Sequence, residues 1–201
     1  MSLQSFQRAV VDLTLTPQTA VALLHGNTGV LADYDLTERE RRRLLAIVRQ
    51  PGISVSCTLA RGNRLEVIAG VFPMTCVLLE PVLRQVLDEL WADHRPTNYQ
   101  LAGEDAAFAR LVSRKLAAGD LAIEYLDEVF AYERACQEMA YKVRTLDDPD
   151  AVAETMVEFQ HPPDELLPPL SRLTAPPPGL PRGRYRARVR LVDDRLDVEM
   201  L

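Results

Sequence analysis

Near the end of the chain arginine recurs at every second position: Arg184, Arg186, Arg188 and Arg190 alternate with Tyr185, Ala187, Val189 and Leu191. A period of two is the side-chain period of a β-strand, so four guanidinium groups share one face and an apolar row shares the other. Such a ladder can bind a partner, phosphates or an acidic peptide, because guanidinium donors match carboxylate and phosphate oxygens. The residues that follow supply a second reading. With Asp193-Asp194 as a two-residue turn, Arg190 falls opposite Asp197, Arg188 opposite Glu199 and Val189 opposite Val198. Opposite charges across a strand pair attract. Glu154 and Glu158 can flank the ladder from the other side, which would make it a self-neutralised, solvated face. Sequence leaves both readings open.

A second basic run, Arg39 with Arg41, Arg42 and Arg43, is the candidate for nucleic-acid contact. It sits on the first turns of a helix, where positive charge opposes the macrodipole, and Glu38 and Glu40 interleave with it. A solvated helix face is the plainer reading. Arg61, Asn63, Arg64 and Glu133 are polar positions in otherwise apolar helical stretches. A buried Arg or Glu is tolerated mainly when paired, so these four are expected to satisfy helix ends and each other as structural ties, or else to form an organising ionic network in the bundle.

Metal and nucleophile chemistry find no footing. The three histidines, His25, His94 and His161, are far apart, with no HxxxH or HExxH spacing. The long acidic helix before residue 145 has no Glu-x-x-His, which a carboxylate-bridged di-iron bundle wants. GxSxG, a phosphate loop and GxGxxG are absent as well. No metal, no cofactor and no catalytic residue is expected. Cys57, Cys76 and Cys136 sit in apolar helical contexts, odd in number, and read as reduced core thiols of a cytoplasmic protein.

The elements that must position these residues are mostly helices. Leu3, Phe6, Val10 and Leu13 share one helical face; Thr16-Pro17 opens a second helix that stops at Gly26, before a loop over 27–35. Thr37 with Glu40 forms a capping box. The apolar stretch 61–80 continues a helix from Ile53, kinks at Pro73 and runs on as a short helix. Pro81 begins another helix, a polar loop covers 94–100, and Ala102 to Ala117 is helical. Asp120 is placed to cap a last helix from Leu121 to about Arg144. After a linker at Asp147, residues 152–160 alternate as a strand, a stretch with eight prolines over 162–181 reads as a loop, and a hairpin ends the chain. The fold class is therefore mainly α: a helical bundle over 1–146, then a small three-stranded antiparallel β appendage over 147–201, which should dock on the helices because so small a sheet is marginal alone.

The order of motifs resembles the HvfC/BufC-type family, whose N-terminal domain is often labelled DNA-binding. It is carried by Arg61-Gly62-Asn63 leading to Phe72-Pro73, by AAFARLV, and by Glu124-Tyr125-Leu126 leading to Tyr132-Glu133, over about residues 40 to 145. The helical domain with a small β appendage is similar to the MbnC and TglI type of partner. The resemblance implies a non-catalytic adaptor that accompanies an iron-dependent peptide-modifying enzyme and presents a precursor peptide to it.

Composition is compatible with that role. Hydrophobic residues make up 47% and charged ones 26%, ample for a core, and the net charge of −6 argues mildly against a nucleic-acid binder. No apolar run reaches the ~20 residues of a membrane span. The first residues show no basic leader before a long apolar segment, so no signal peptide is expected.

Overall fold

The computed structural model describes residues 3–94, 101, 103–143, 154–192 and 195–201, with backbone alone at Lys142, Val143 and Leu191. The polar loop over 95–100, the linker after Asp147 and the Asp193-Asp194 turn lie outside the described residues. The chain is mainly helical with a small antiparallel sheet at its C-terminal end, and it divides into two compact units: 1–66 with 91–101, and 67–90 with 102–201.

The first unit contains α1 (Leu3–Leu15), α2 (Pro17–Leu24), a 3-10 turn (Thr28–Leu31) within the expected loop, α3 (Glu38–Val48) and most of α4 (Gly52–Val71). Pro17 opens α2, where its missing N–H costs nothing, and the chain leaves through Gly26 at φ +88°. The capping box at α3 is complete: the Thr37 hydroxyl accepts the Glu40 amide at 3.3 Å, and the Glu40 carboxylate accepts the Thr37 amide at 2.7 Å. Ala9, Leu13, Ala20, Leu23, Leu31, Leu44 and Val48 form its core.

The second unit is built around α8 (Leu126–Val143). With it are the end of α4, α5 (Pro73–Leu78), most of α6 (Leu83–Asp93, whose last three residues belong to the first unit), α7 (Glu104–Ala118), β1 (Glu154–Phe159), α9 (Pro163–Ser171), β2 (Tyr185–Val192) and β3 (Arg195–Met200). Pro73 forces Phe72 out of helical geometry and starts α5 at the same point. Phe72 itself is fully buried, its ring 5.6 Å from Phe108 and 5.7 Å from Phe130. The sheet order is β1-β2-β3, antiparallel throughout. Val157, Phe159, Ala187 and Val189 are buried with Val129 and Met139 of α8, so the sheet rests on a helix as its size requires.

Three expectations are corrected. The last helix starts at Leu126, and Asp120 does not cap it, because Gly119 (φ +77°) closes α7, residues 121–123 are irregular and 124–125 form a turn. That turn ends on Tyr125 at φ +66°. A left-handed non-glycine residue costs about 1–3 kcal/mol. Its buried ring packs edge-on against His161, and its hydroxyl donates to Pro177 O and accepts the Leu180 amide. The proline-rich stretch is not all loop: α9 forms with Pro163 in its first turn and tolerates Pro168 and Pro169, because Leu166, Leu167 and Leu170 face the core. At about 1.5–3 kcal/mol for each buried leucine, that burial is of the same order as the cost of two interior prolines, about 3 kcal/mol each. The helix expected from Pro81 begins at Leu83.

Candidate functional site

Arg186, Arg188 and Arg190 lie where alternation places them, on the face of β2 opposite the buried Ala187 and Val189, and Arg184 and Arg186 line a cavity of about 640 Å³ with Asp127, Glu128 and Ala131 of α8. Arg190 pairs in register with Glu154 and Asp197, Arg188 with Met156 and Glu199, and Arg186 with Glu158. Arg190 Nε meets Asp197 at 2.7 Å, Arg186 meets Glu158 at 3.3 Å and Arg188 meets Glu199 at 3.5 Å. The Asp197 hydrogen bond raises the Arg190 pKa further. Arg184 precedes the strand and is exposed.

The opposite face and the edge of β3 are arranged differently. Leu201 donates its amide to Arg186 O at 2.8 Å. In an antiparallel ladder such bonded pairs alternate with non-bonded ones, so in this register Arg195, Asp197 and Glu199 also turn their backbone groups to β2. Leu196, Val198 and Met200 therefore turn N–H and C=O to the open edge, and no strand pairs with β3 there among the described residues. Their side chains share the face of Val189 and Ala187, yet Leu196 and Met200 remain 42% and 43% exposed. β1, the other edge, is occupied at its end. Glu128 Oε2 accepts the amides of Gln160 at 2.6 Å and His161 at 3.2 Å, and Oε1 meets His161 Nδ1 at 2.5 Å.

Beside the open edge is a groove of about 270 Å³ whose lining includes Val71, Asp105, Cys136, Gln137, Tyr141 and Leu196. Asp105, in the first turn of α7, is 6% exposed; its Oδ2 accepts Gln137 Nε2 at 2.6 Å and the Tyr141 hydroxyl at 3.0 Å. Burial pushes the Cys136 thiol above its ordinary pKa and pushes Cys76 up to about 12. Both are neutral thiols at pH 7, without the thiolate a nucleophile needs.

The proposed ionic set divides by contact. Arg61 and Arg64 lie over the Trp91 ring at 4.9 and 5.1 Å, and Arg64, 1% exposed, donates to His94 O at 2.8 Å. Glu133 instead accepts the Met74 amide at 2.7 Å and the Thr75 amide at 2.8 Å, at the start of α5. Asn63 is exposed. On α3, Arg39, Arg42 and Arg43 are exposed, Arg42 lies 3.9 Å from Glu38, and Arg41 reaches Leu31 O at 3.4 Å.

Sequence reasoning missed Asp105, Gln137 and Tyr141, and the Glu128–His161 pair. Gln137 and Tyr141, four apart on α8, were readable as one helical face; their partner lies 32 and 36 residues away. Among the described residues no His, Cys, Asp and Glu side chains gather in a group that could hold a metal, and no helix is long and apolar enough to cross a membrane. Compared with family models, curated proteins and solved structures, the chain matches none.

Proposed function

We propose that this chain is a non-catalytic partner of a peptide-modifying enzyme, and that it receives an extended precursor peptide by strand addition to β3. The observation that carries the reading is the open edge: three residues, Leu196, Val198 and Met200, direct unpaired backbone groups outward beside a groove. Strand addition takes affinity from main-chain hydrogen bonds and specificity from pockets for alternate side chains. The resemblance in motif order over residues 40 to 145 supports an enzyme partner of the iron-dependent class, docked by the helical part of the chain, and the free thiols of Cys57, Cys76 and Cys136 support a cytoplasmic location.

Co-expression with an iron-dependent peptide-modifying enzyme and a short precursor peptide, each sought among the genes adjoining this one, tests the proposal, with complexes separated by size exclusion. Val198→Pro removes one outward N–H and no bond to β2, and proline is tolerated on an edge strand in that phase. The variant should keep the enzyme and lose the peptide. No complex at micromolar concentrations, or full peptide retention by the variant, refutes the reading. A DNA-binding regulator would instead release duplex steeply between about 50 and 200 mM salt. With Arg186, Arg188 and Arg190 each beside an acid, the ladder offers that alternative little net charge.

A further inference from the structure

The groove beside β3 carries one buried carboxylate whose two recorded donors, Gln137 and Tyr141, are both neutral. Both bonds fall on Oδ2, and among the described residues no cation reaches Asp105. Carboxylates are rarely this buried without a cationic partner. Leu196 stands at the rim of the same groove and is the one residue of β3 that lines it. A strand added to β3 places the residue opposite Leu196 on the face of Leu196, pointing into that groove. The residues opposite Val198 and Met200 point the same way, against apolar side chains.

Resting on the strand-addition reading, we infer that the peptide recognised here carries a lysine or arginine opposite Leu196, its cation seated against Asp105, and apolar residues opposite Val198 and Met200. The recognised pattern is thus one basic and two apolar residues at alternate positions, the basic one at the end. The intervening residues point away and face Asp197 and Glu199, whose carboxylates are already engaged by Arg190 and Arg188. Specificity comes from the groove, and the arginine ladder on the opposite face takes no part in it.

The test selects binders of the full-length chain from a phage library of random dodecapeptides. A synthetic copy of the best binder is then titrated, with its basic residue intact or replaced by norleucine, against the wild type, Asp105→Asn and Val198→Pro. The expected outcome is enrichment of Lys or Arg two positions from an alternating apolar pair. Norleucine should weaken wild-type binding by about tenfold or more, the scale of a charge-assisted hydrogen bond, and should have little further effect on Asp105→Asn. The norleucine arm needs no altered protein, so misfolding of Asp105→Asn cannot mask the result. Binders without a basic residue, or additive effects of norleucine and Asp105→Asn, overturn the inference; if Val198→Pro still abolishes binding, the open edge stands. Absence of binders, or equal binding by Val198→Pro, overturns both.

Discussion

Glu133 is the residue whose removal should cost the fold most. It is 3% exposed, and each of its oxygens accepts one backbone amide at the N-terminal end of α5, from Met74 at 2.7 Å and Thr75 at 2.8 Å. Those amides are among the first of a helix and have no intrahelical acceptor. Glu133→Ala removes two buried hydrogen-bond acceptors and leaves two buried donors unsatisfied, for an expected loss of about 3–5 kcal/mol. Glu133→Gln keeps one acceptor oxygen and turns an NH2 against the other amide, for about 2–3 kcal/mol. Urea unfolding at pH 7 measures both: with m near 2 kcal/mol/M, the alanine variant's midpoint should fall by about 1.5–2.5 M. The pH dependence gives a second check. Burial raises the Glu133 pKa, with the Met74 and Thr75 groups opposing the shift. The folded chain then holds this proton to higher pH than the unfolded chain does. The associated stability is complete below the unfolded pKa and is lost as pH rises through the folded pKa. The wild type's advantage over Glu133→Gln should therefore narrow as pH rises across that window. A midpoint shift below about 0.3 M for Glu133→Ala at unchanged m, or a gap that widens with pH, refutes this account.

Two further substitutions separate structure from recognition. Thr37→Ala breaks the capping box of α3 and should lower stability by about 1 kcal/mol in the same urea assay, with m unchanged. Arg190→Gln removes the 2.7 Å contact with Asp197 on the exposed face of the sheet. It should leave peptide capture unchanged, because the capture edge lies on β3 and the groove on the other face; loss of capture would restore the ladder as a binding surface.

What could be read from the amino-acid order alone was short-range. Thr37 and Glu40 are three residues apart, and the β2–β3 register follows from alternation counted back from a two-residue turn. The helix in the proline-rich stretch was hidden because its signal is the burial of Leu166, Leu167 and Leu170, and burial is decided by elements elsewhere in the chain. The same holds for the polar groups. Glu133 finds its amides 58 and 59 residues away, and Asp105 finds Gln137 at 32, so neither spacing marks a motif.

The candidate edge falls between these cases. Alternation gives the strand and its two faces, but not which residues turn their backbone outward. That phase is set by the Leu201–Arg186 hydrogen bond, and shifting it by one residue would offer Asp197 and Glu199 to a partner instead. The ladder draws attention in the sequence because charge is visible there, while a free backbone amide is not. In the structure Arg186, Arg190 and Arg188 face Glu158, Asp197 and Glu199, and the groups left without a strand partner among the described residues include the amide and carbonyl of Val198 and its alternate neighbours. Val198→Pro is accordingly the more informative substitution, since it tests the backbone group that an incoming strand needs while leaving every ion pair in place.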